Sequence, residues 1–158
     1  MLSHADRLEW INKISILPRQ VEDAVRGLND AQLDTPYRPG GWTVRQVVHH
    51  LADSHLNAYV RMKLVLTEQH PTLKPYDQDE WARLTDVKLP ISCSINILKG
   101  LHERWTHLLE SVPESSWPRT AYHPENGEMT LESLLTTYGH HGENHVKQIA
   151  DLRTAKHW

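Results

Sequence analysis

The stretch TLESLLTTYGHHGENHVKQIADLRTA, residues 130–155, decides the fold. At roughly 100° per residue, Leu131, Leu134, Leu135, Tyr138, Val146, Ile149 and Leu152 fall on one side. That is the stripe an amphipathic helix turns toward a core. Thr130 is placed to start the helix, because its hydroxyl can accept a first-turn N–H that no preceding carbonyl satisfies. Lys147, Arg153 and Lys156 lie toward the far end, where the helix dipole favours cations.

Three further stretches carry the same period. One runs from Ser3 to about Leu28, and Pro18 is predicted to break or kink it. A second begins at Thr43, where Gln46 completes a capping box, and lasts to about Glu68 ahead of Pro71 and Pro75. A third starts near Pro90 and ends before Pro113. Between the first two lies LDTPYRPGGW, residues 33–42, whose two prolines and two glycines predict an ordered loop. Asp77 is placed to cap a short turn containing Trp81. Pro124 and Asn126-Gly127 mark a turn that can close a small β-hairpin between Arg119 and Met129. Four long helices joined by structured loops predict an all-α four-helix bundle, with room for one small hairpin. A length of 158 residues fits one domain, 1–158.

Composition narrows the classes of function. With 39% hydrophobic and 23% charged residues, the chain has the apolar content to fold and is not disordered. No apolar run approaches the roughly 18–20 residues of a membrane span, and the start MLSHADRLEW lacks the layout of a signal peptide. Cys93 is the only cysteine, so no internal disulfide forms and a cytoplasmic setting is expected. The net charge of −3, with Lys and Arg scattered, gives no footprint for nucleic acid or for an anionic membrane surface. Phenylalanine is absent, so six tryptophans and five tyrosines supply the aromatic bulk. The 12 histidines are the chemical lead.

His141 and His145 fall on the apolar stripe four residues apart, hence adjacent on one face. Buried imidazoles need partners. A shared metal ion serves both, as do backbone carbonyls or a shared water, and spacing leaves these alternatives open. Gly142 falls inward and is expected to leave room above the pair, whereas His140, Glu143 and Asn144 point away. In the second helix the stripe is Val44, Val47, Val48, Leu51, Ala58, Met62, Val65 and Leu66. His55 sits at its centre, His50 on its flank, and His49 points outward, so spacing alone nominates His55 as a third ligand. In the third helix His102 lies at the edge of the apolar face and His107 opposite it, and both are expected to be solvated. His102-Glu103 opens like H-E-x-x-H, but the next histidine comes one residue too late. His123 is placed to line a site opening, while His4, His70 and His157 read as surface residues. No G-x-S-x-G, phosphate loop or cysteine pair accompanies them.

The segment LDTPYRPGGWTVRQVVHHLADSHLNAYVR, residues 33–61, resembles the signature of the YfiT branch of the DinB superfamily. PYDQDEW at 75–81, LHERWTHLL at 101–109 and YHPENGEMTLESLLTTYGHH at 122–141 follow in the same order. The resemblance implies a four-helix bundle described as a metal-dependent hydrolase, cytoplasmic and often dimeric. Some relatives transfer a low-molecular-weight thiol to electrophiles. Carried onto this chain, the family's metal triad falls on His50, His141 and His145. YfiT-like relatives can carry a denser histidine cluster in the last helix, where this chain has Gly142, Glu143, Asn144 and Gln148. The chain also begins close to its first helix, without the short extension of that branch.

Three neutral imidazoles leave coordination positions open, as catalytic sites require. The expectation is therefore one divalent transition-metal ion per chain, zinc or nickel, with water activated for hydrolysis of a small-molecule substrate. A metal-dependent thiol S-transferase is the alternative enzyme, and a non-catalytic metal-binding dimerisation module is the alternative of another class. A homodimer is implied by the resemblance. Asp53, three residues after His50, is placed either to orient that ligand or to stand as a surface carboxylate. No general base is assigned.

Overall fold

The computed structural model describes residues 1–158. The four long helices are α1 (His4–Val25), α3 (Val44–Thr67), α5 (Ser92–Glu110) and α6 (Leu131–Lys156). Two single-turn helices, α2 (Asp30–Leu33) and α4 (Gln78–Trp81), lie in the connections. Capping boxes at Ser3, Asn29, Thr43 and Thr130 start α1, α2, α3 and α6. In each, the cap side chain takes a first-turn N–H and the residue three positions on returns the bond. The hairpin predicted around Asn126-Gly127 is present, as β1 (Thr120–His123) paired antiparallel with β2 (Gly127–Thr130). Gly127 takes φ 72°, a conformation that glycine adopts without a Cβ penalty.

The principal helix packings are α1 on α5, α1 on α6, α3 on α5 and α3 on α6. Thus α1 and α3 occupy one diagonal of the bundle, and α5 and α6 the other. Of the successive long helices, α3 and α5 are adjacent, but α1 and α3 are diagonal, as are α5 and α6, so the connections 26–43 and 111–130 must cross a bundle end. That need explains the ordered loops. Arg119, which lies just before β1, donates to the Val65 and Glu68 carbonyls at the end of α3, each at 2.6 Å. A guanidinium there satisfies acceptors the helix leaves open and matches its dipole. Buried Arg7 joins α1 to Glu114 and to Glu132 of α6.

The core falls into two clusters. One gathers Ile14, Met62, Trp105, Leu134 and Leu135, and the other Leu17, Val21, Val47, Leu51 and Ile149. Trp105 and Trp117 are buried and fill the volume that phenylalanine fills elsewhere. The Trp105 indole also meets its polar need, with Nε1 lying 3.1 Å from Met62 Sδ.

Two sequence expectations need correction. Pro18 does not break the first helix, which runs through it and ends at Val25 rather than near Leu28. Gly142 does not leave room above the histidine pair. A Cβ built on it would stand 2.6 Å from Leu17 Cδ2, so this glycine lets α6 close on α1. Leu17 is itself buried and cannot swing aside.

Gly142→Ala is therefore expected to destabilise the protein by about 1–3 kcal/mol, the usual cost of overpacking a filled core. Gly100, on the exposed side of α5, meets nothing within 4 Å. Gly100→Ala is expected to stabilise by about 0.5–1 kcal/mol through helix propensity. Thermal unfolding of the two variants should shift in opposite directions.

Candidate metal centre

Helix α3 carries His50 against the α6 pair His141 and His145. His50 is 4% exposed, and the other two are partly buried. His141 Nε2 lies 3.1 Å from His50 Nε2 and 3.2 Å from His145 Nε2. One nitrogen from each ring falls within 4.8 Å of the other two. Nitrogens bound to a tetrahedral ion at about 2.0–2.1 Å stand roughly 3.3 Å apart, so this spacing suits a small divalent cation.

The hydrogen-bond chain behind His141 decides which of its nitrogens carries the proton. Pro18 has no N–H, so the Ile14 carbonyl four residues earlier lacks its helical donor. His102 Nδ1 lies 2.6 Å from that oxygen. A carbonyl only accepts, so Nδ1 is the protonated nitrogen of His102 and Nε2 its lone pair. His55 Nδ1, 3.1 Å from His102 Nε2, must then donate, which leaves His55 Nε2 as an acceptor. It accepts from His141 Nδ1 at 3.2 Å. The His141 lone pair is thereby fixed on Nε2, toward His50 and His145.

This counting requires neutral rings, and the interior supplies them. Burial pushes His50 down to about 3, His102 to about 4 and His141 to about 2, with neighbouring histidines adding to the shift at His50 and His141. His55 is held well below its ordinary value by burial and then by His102 and His141. On the other side of the centre, His145 Nδ1 donates to Gln148 Oε1 at 2.8 Å, so its Nε2 is also a lone pair. Two lone pairs facing across 3.2 Å repel unless a cation lies among the rings. The donor set therefore fits a transition-metal ion, for which neutral imidazole is a good ligand.

Two cavities share His141 in their walls, the smaller one is also bordered by His145, and His50 lines neither. The larger, of about 600 Å³, is lined by His141, Arg61, Tyr76, His123 and Tyr138 among others. The smaller, of about 430 Å³, is lined by His141 and His145 with Tyr37, Trp42 and Asp79. The Trp42 ring packs 4.5 Å from the His50 ring, and its Nε1 donates to Asp79 Oδ1 at 3.0 Å. Tyr138 Oη accepts from Arg61 at 2.8 Å.

The structure brings His50, His141 and His145 together and assigns His55 a different place. His55 is fully buried in the core and reaches His141 through the ring nitrogen opposite the triad. Two histidines expected to face water are buried. His102 is 1% exposed because α5 packs on both α1 and α3, a wider buried arc than its own apolar stripe shows. His49 is 7% exposed, with Nε2 3.1 Å from the Leu89 carbonyl and Nδ1 2.7 Å from Ser94 Oγ. Asp53 does neither thing expected of it. It is half-buried, makes no side-chain bond to His50, and has its carboxyl raised to about 6 by burial and by Asp86. His123 lines the larger cavity as expected, and His4, His70, His107, His140 and His157 are exposed. Sequence reading does not single out Arg61, Tyr76 or Asp79, and it places Tyr138 only on the core stripe. Buried Arg61 on the last turns of an apolar helix was the one available signal.

The DinB superfamily profile matches residues 14–149. A protein of Oceanobacillus iheyensis bearing the name "putative metal-dependent hydrolase" is 49% identical over 150 residues, which cover 95% of this chain and 87% of the relative. One of Bacillus mycoides with the same designation is 47% identical over the same shares. Among solved structures, YfiT from Bacillus subtilis, described as "a probable metal-dependent hydrolase with an unusual four-helix bundle topology", superposes with a TM-score of 0.97 at 44% identity. It covers 100% of this chain and 91% of its own. The four-helix bundle protein TT2238 shares the fold at a TM-score of 0.60 and 17% identity, over 89% of this chain and 95% of that one.

The neutral interior makes the metal-free protein acid-labile. His50, His55, His102 and His141 have depressed values when folded and ordinary ones near 6.5 when unfolded, so the unfolded chain takes up protons first. Their contribution to stability is complete above about pH 6.5 and is lost as pH falls toward the folded values. Each can cost about 1.4 kcal/mol per pH unit, and four together roughly 5. Against a typical total of about 5–15 kcal/mol, acid unfolding is expected between about pH 6 and pH 4. Circular dichroism across that range checks it, and a protein still folded at pH 3 contradicts the neutral-histidine interior.

Proposed function

The chain belongs to the DinB superfamily, and we propose that it is a metal-dependent hydrolase of small molecules, with one zinc or nickel ion held by His50, His141 and His145. The observation carrying this reading is that three imidazole nitrogens converge, with His141 and His145 bordering open cavities. A divalent ion there supplies Lewis acidity and lowers the pKa of water at its open positions. The cavities argue for a catalytic over a closed structural site, since substrate and water can approach from either side.

The chain's own groups divide the remaining work. The His102–His55 chain orients His141, and Gln148 orients His145. Trp42 covers one side of His50 and excludes water from it. Asp79, in the smaller cavity beside His141 and His145 and held by the Trp42 indole, is the proposed proton acceptor. A cytoplasmic homodimer of single-domain chains belongs to the same proposal, supported by the family resemblance.

Metal content and turnover test the reading. Purified protein should carry about one zinc, nickel or similar ion per chain, because one three-histidine set is present. His50→Ala, His141→Ala and His145→Ala should each lose it. His55→Ala should keep the ion with affinity lowered about 10- to 100-fold and stability reduced by about 1–3 kcal/mol. A metal-free His55→Ala beside a metal-loaded His50→Ala would reverse the assignment. Asp79→Asn should keep the metal and lower kcat by about 10²- to 10⁴-fold. Turnover of an electrophile that requires an added low-molecular-weight thiol would replace hydrolysis with thiol transfer.

A further inference from the structure

The chain buries two arginines, and they are treated differently. Arg7, 6% exposed, lies between two carboxylates, Glu114 and Glu132. Arg61, 9% exposed, takes part in no ion pair. Its partners are neutral: Tyr138 Oη at 2.8 Å and the Lys74 carbonyl at 2.5 Å. A guanidinium has five N–H donors, so these two bonds leave three over. One of the three is Nε, which is buried without a partner, as it is in Arg7, so the two arginines differ in the missing carboxylate. A buried cation without an anion is costly unless a ligand supplies the charge.

The space for that ligand is next to it. Arg61 lines the cavity of about 600 Å³ that also holds His141. Two more donors share this cavity. Tyr138 Oη accepts from Arg61, which leaves its own hydrogen free for another acceptor. His123 Nδ1 accepts the Glu125 backbone N–H at 3.2 Å, which places its ring proton on Nε2. The carboxylates on the lining, Asp77 and Glu125, are exposed at the rim, and Asp77 is occupied capping α4.

We infer that Arg61, with Tyr138 and His123, forms a carboxylate-binding subsite in the cavity beside His141, so that the substrate of the proposed hydrolase is a small molecule bearing a carboxylate. The inference rests on the proposed function for the word substrate, while the subsite itself does not depend on the metal. One guanidinium and two neutral donors match a single negative charge, and Asp77 and Glu125 on the same lining oppose a second, which favours a carboxylate over a phosphate dianion. The planar guanidinium also matches the two oxygens of a carboxylate.

The test is a titration of the full chain, before and after zinc loading, with benzoate as probe and neutral benzamide as its isostere. The Arg61 Nε–H signal in a nitrogen-15 spectrum is the readout. Benzoate should move that signal saturably, and benzamide should bind at least about tenfold more weakly, as expected for loss of a charge-assisted bond. Inorganic phosphate should also be weaker than benzoate. Arg61→Gln should remove the preference for benzoate, and Arg61→Lys should restore part of it. The wild-type titration carries the test even if Arg61→Gln fails to fold. A signal that does not move, or a benzoate preference unchanged in a folded Arg61→Gln, overturns the subsite. Tighter binding of phosphate overturns the carboxylate class. Failure to take up zinc overturns the metal reading alone, because the metal-free titration still reports on Arg61.

Discussion

A buried neutral imidazole has one nitrogen that must donate and one that must accept, and this bundle has to satisfy both for a row of them. Pro18 makes that possible. Removing one N–H from α1 leaves the Ile14 carbonyl open, and a carbonyl can only accept. A row of histidines starting from a hydroxyl or a water could be protonated in either sense. One starting from a carbonyl has a single sense, passed from His102 to His55 to His141. The links lie on α1, α5, α3 and α6, which is the order in which those helices pack around the bundle. The hydrogen-bond chain and the packing therefore require each other. If α5 did not stand between α1 and α3, the proline would leave an unsatisfied acceptor and His55 an unsatisfied donor.

The triad and its surroundings are built from different materials. His50, His141 and His145 stand on long helices whose positions the core fixes. Groups facing the cavities come largely from the connections: Trp42 from the loop before α3, Tyr76 and Asp79 from around α4, and His123 from the hairpin. A metal centre needs its donors held within a fraction of an ångström, which helices provide, whereas selectivity can be carried by loops on that scaffold. The diagonal order of the helices suits this division for Trp42 and His123, because the connections that carry them must pass over the bundle ends anyway.

The four helices were legible in the sequence because their caps and apolar stripes are local. Thr43 with Gln46 and Thr130 start helices where the sequence places them, and Asn126-Gly127 turns the hairpin. What was illegible depends on neighbours. A helical wheel has one apolar stripe, but α5 is covered from two sides, so His102 at the stripe's edge is as buried as its centre. His49 is buried by Ser94 of α5 and by Leu89 just before that helix, which its own helical wheel does not show. Periodicity selects His55 because it is the most buried position of the stripe, whereas the three ring nitrogens gather on the flank, where His50 stands. Pro18 reads as breaking or kinking α1 because no sequence rule reveals the donor, 88 positions from Ile14 in the chain, that restores the lost bond.

The electrostatics of the centre follow from these placements. A divalent ion held by neutral histidines would keep its full charge, and Arg61 brings a positive charge to the cavity that His141 also lines. No ion pair offsets it there, although the protein as a whole is anionic at −3. With an ion bound, the two positive charges would repel across that cavity, and since its carboxylates, Asp77 and Glu125, are exposed, the buried guanidinium would gain most from a ligand that brings negative charge. The same field favours deprotonation of water within it, since the anionic product is the better counterion. Substrate preference and water activation would then be two consequences of one arrangement, in which neutral donors and an unpaired guanidinium face a single cavity.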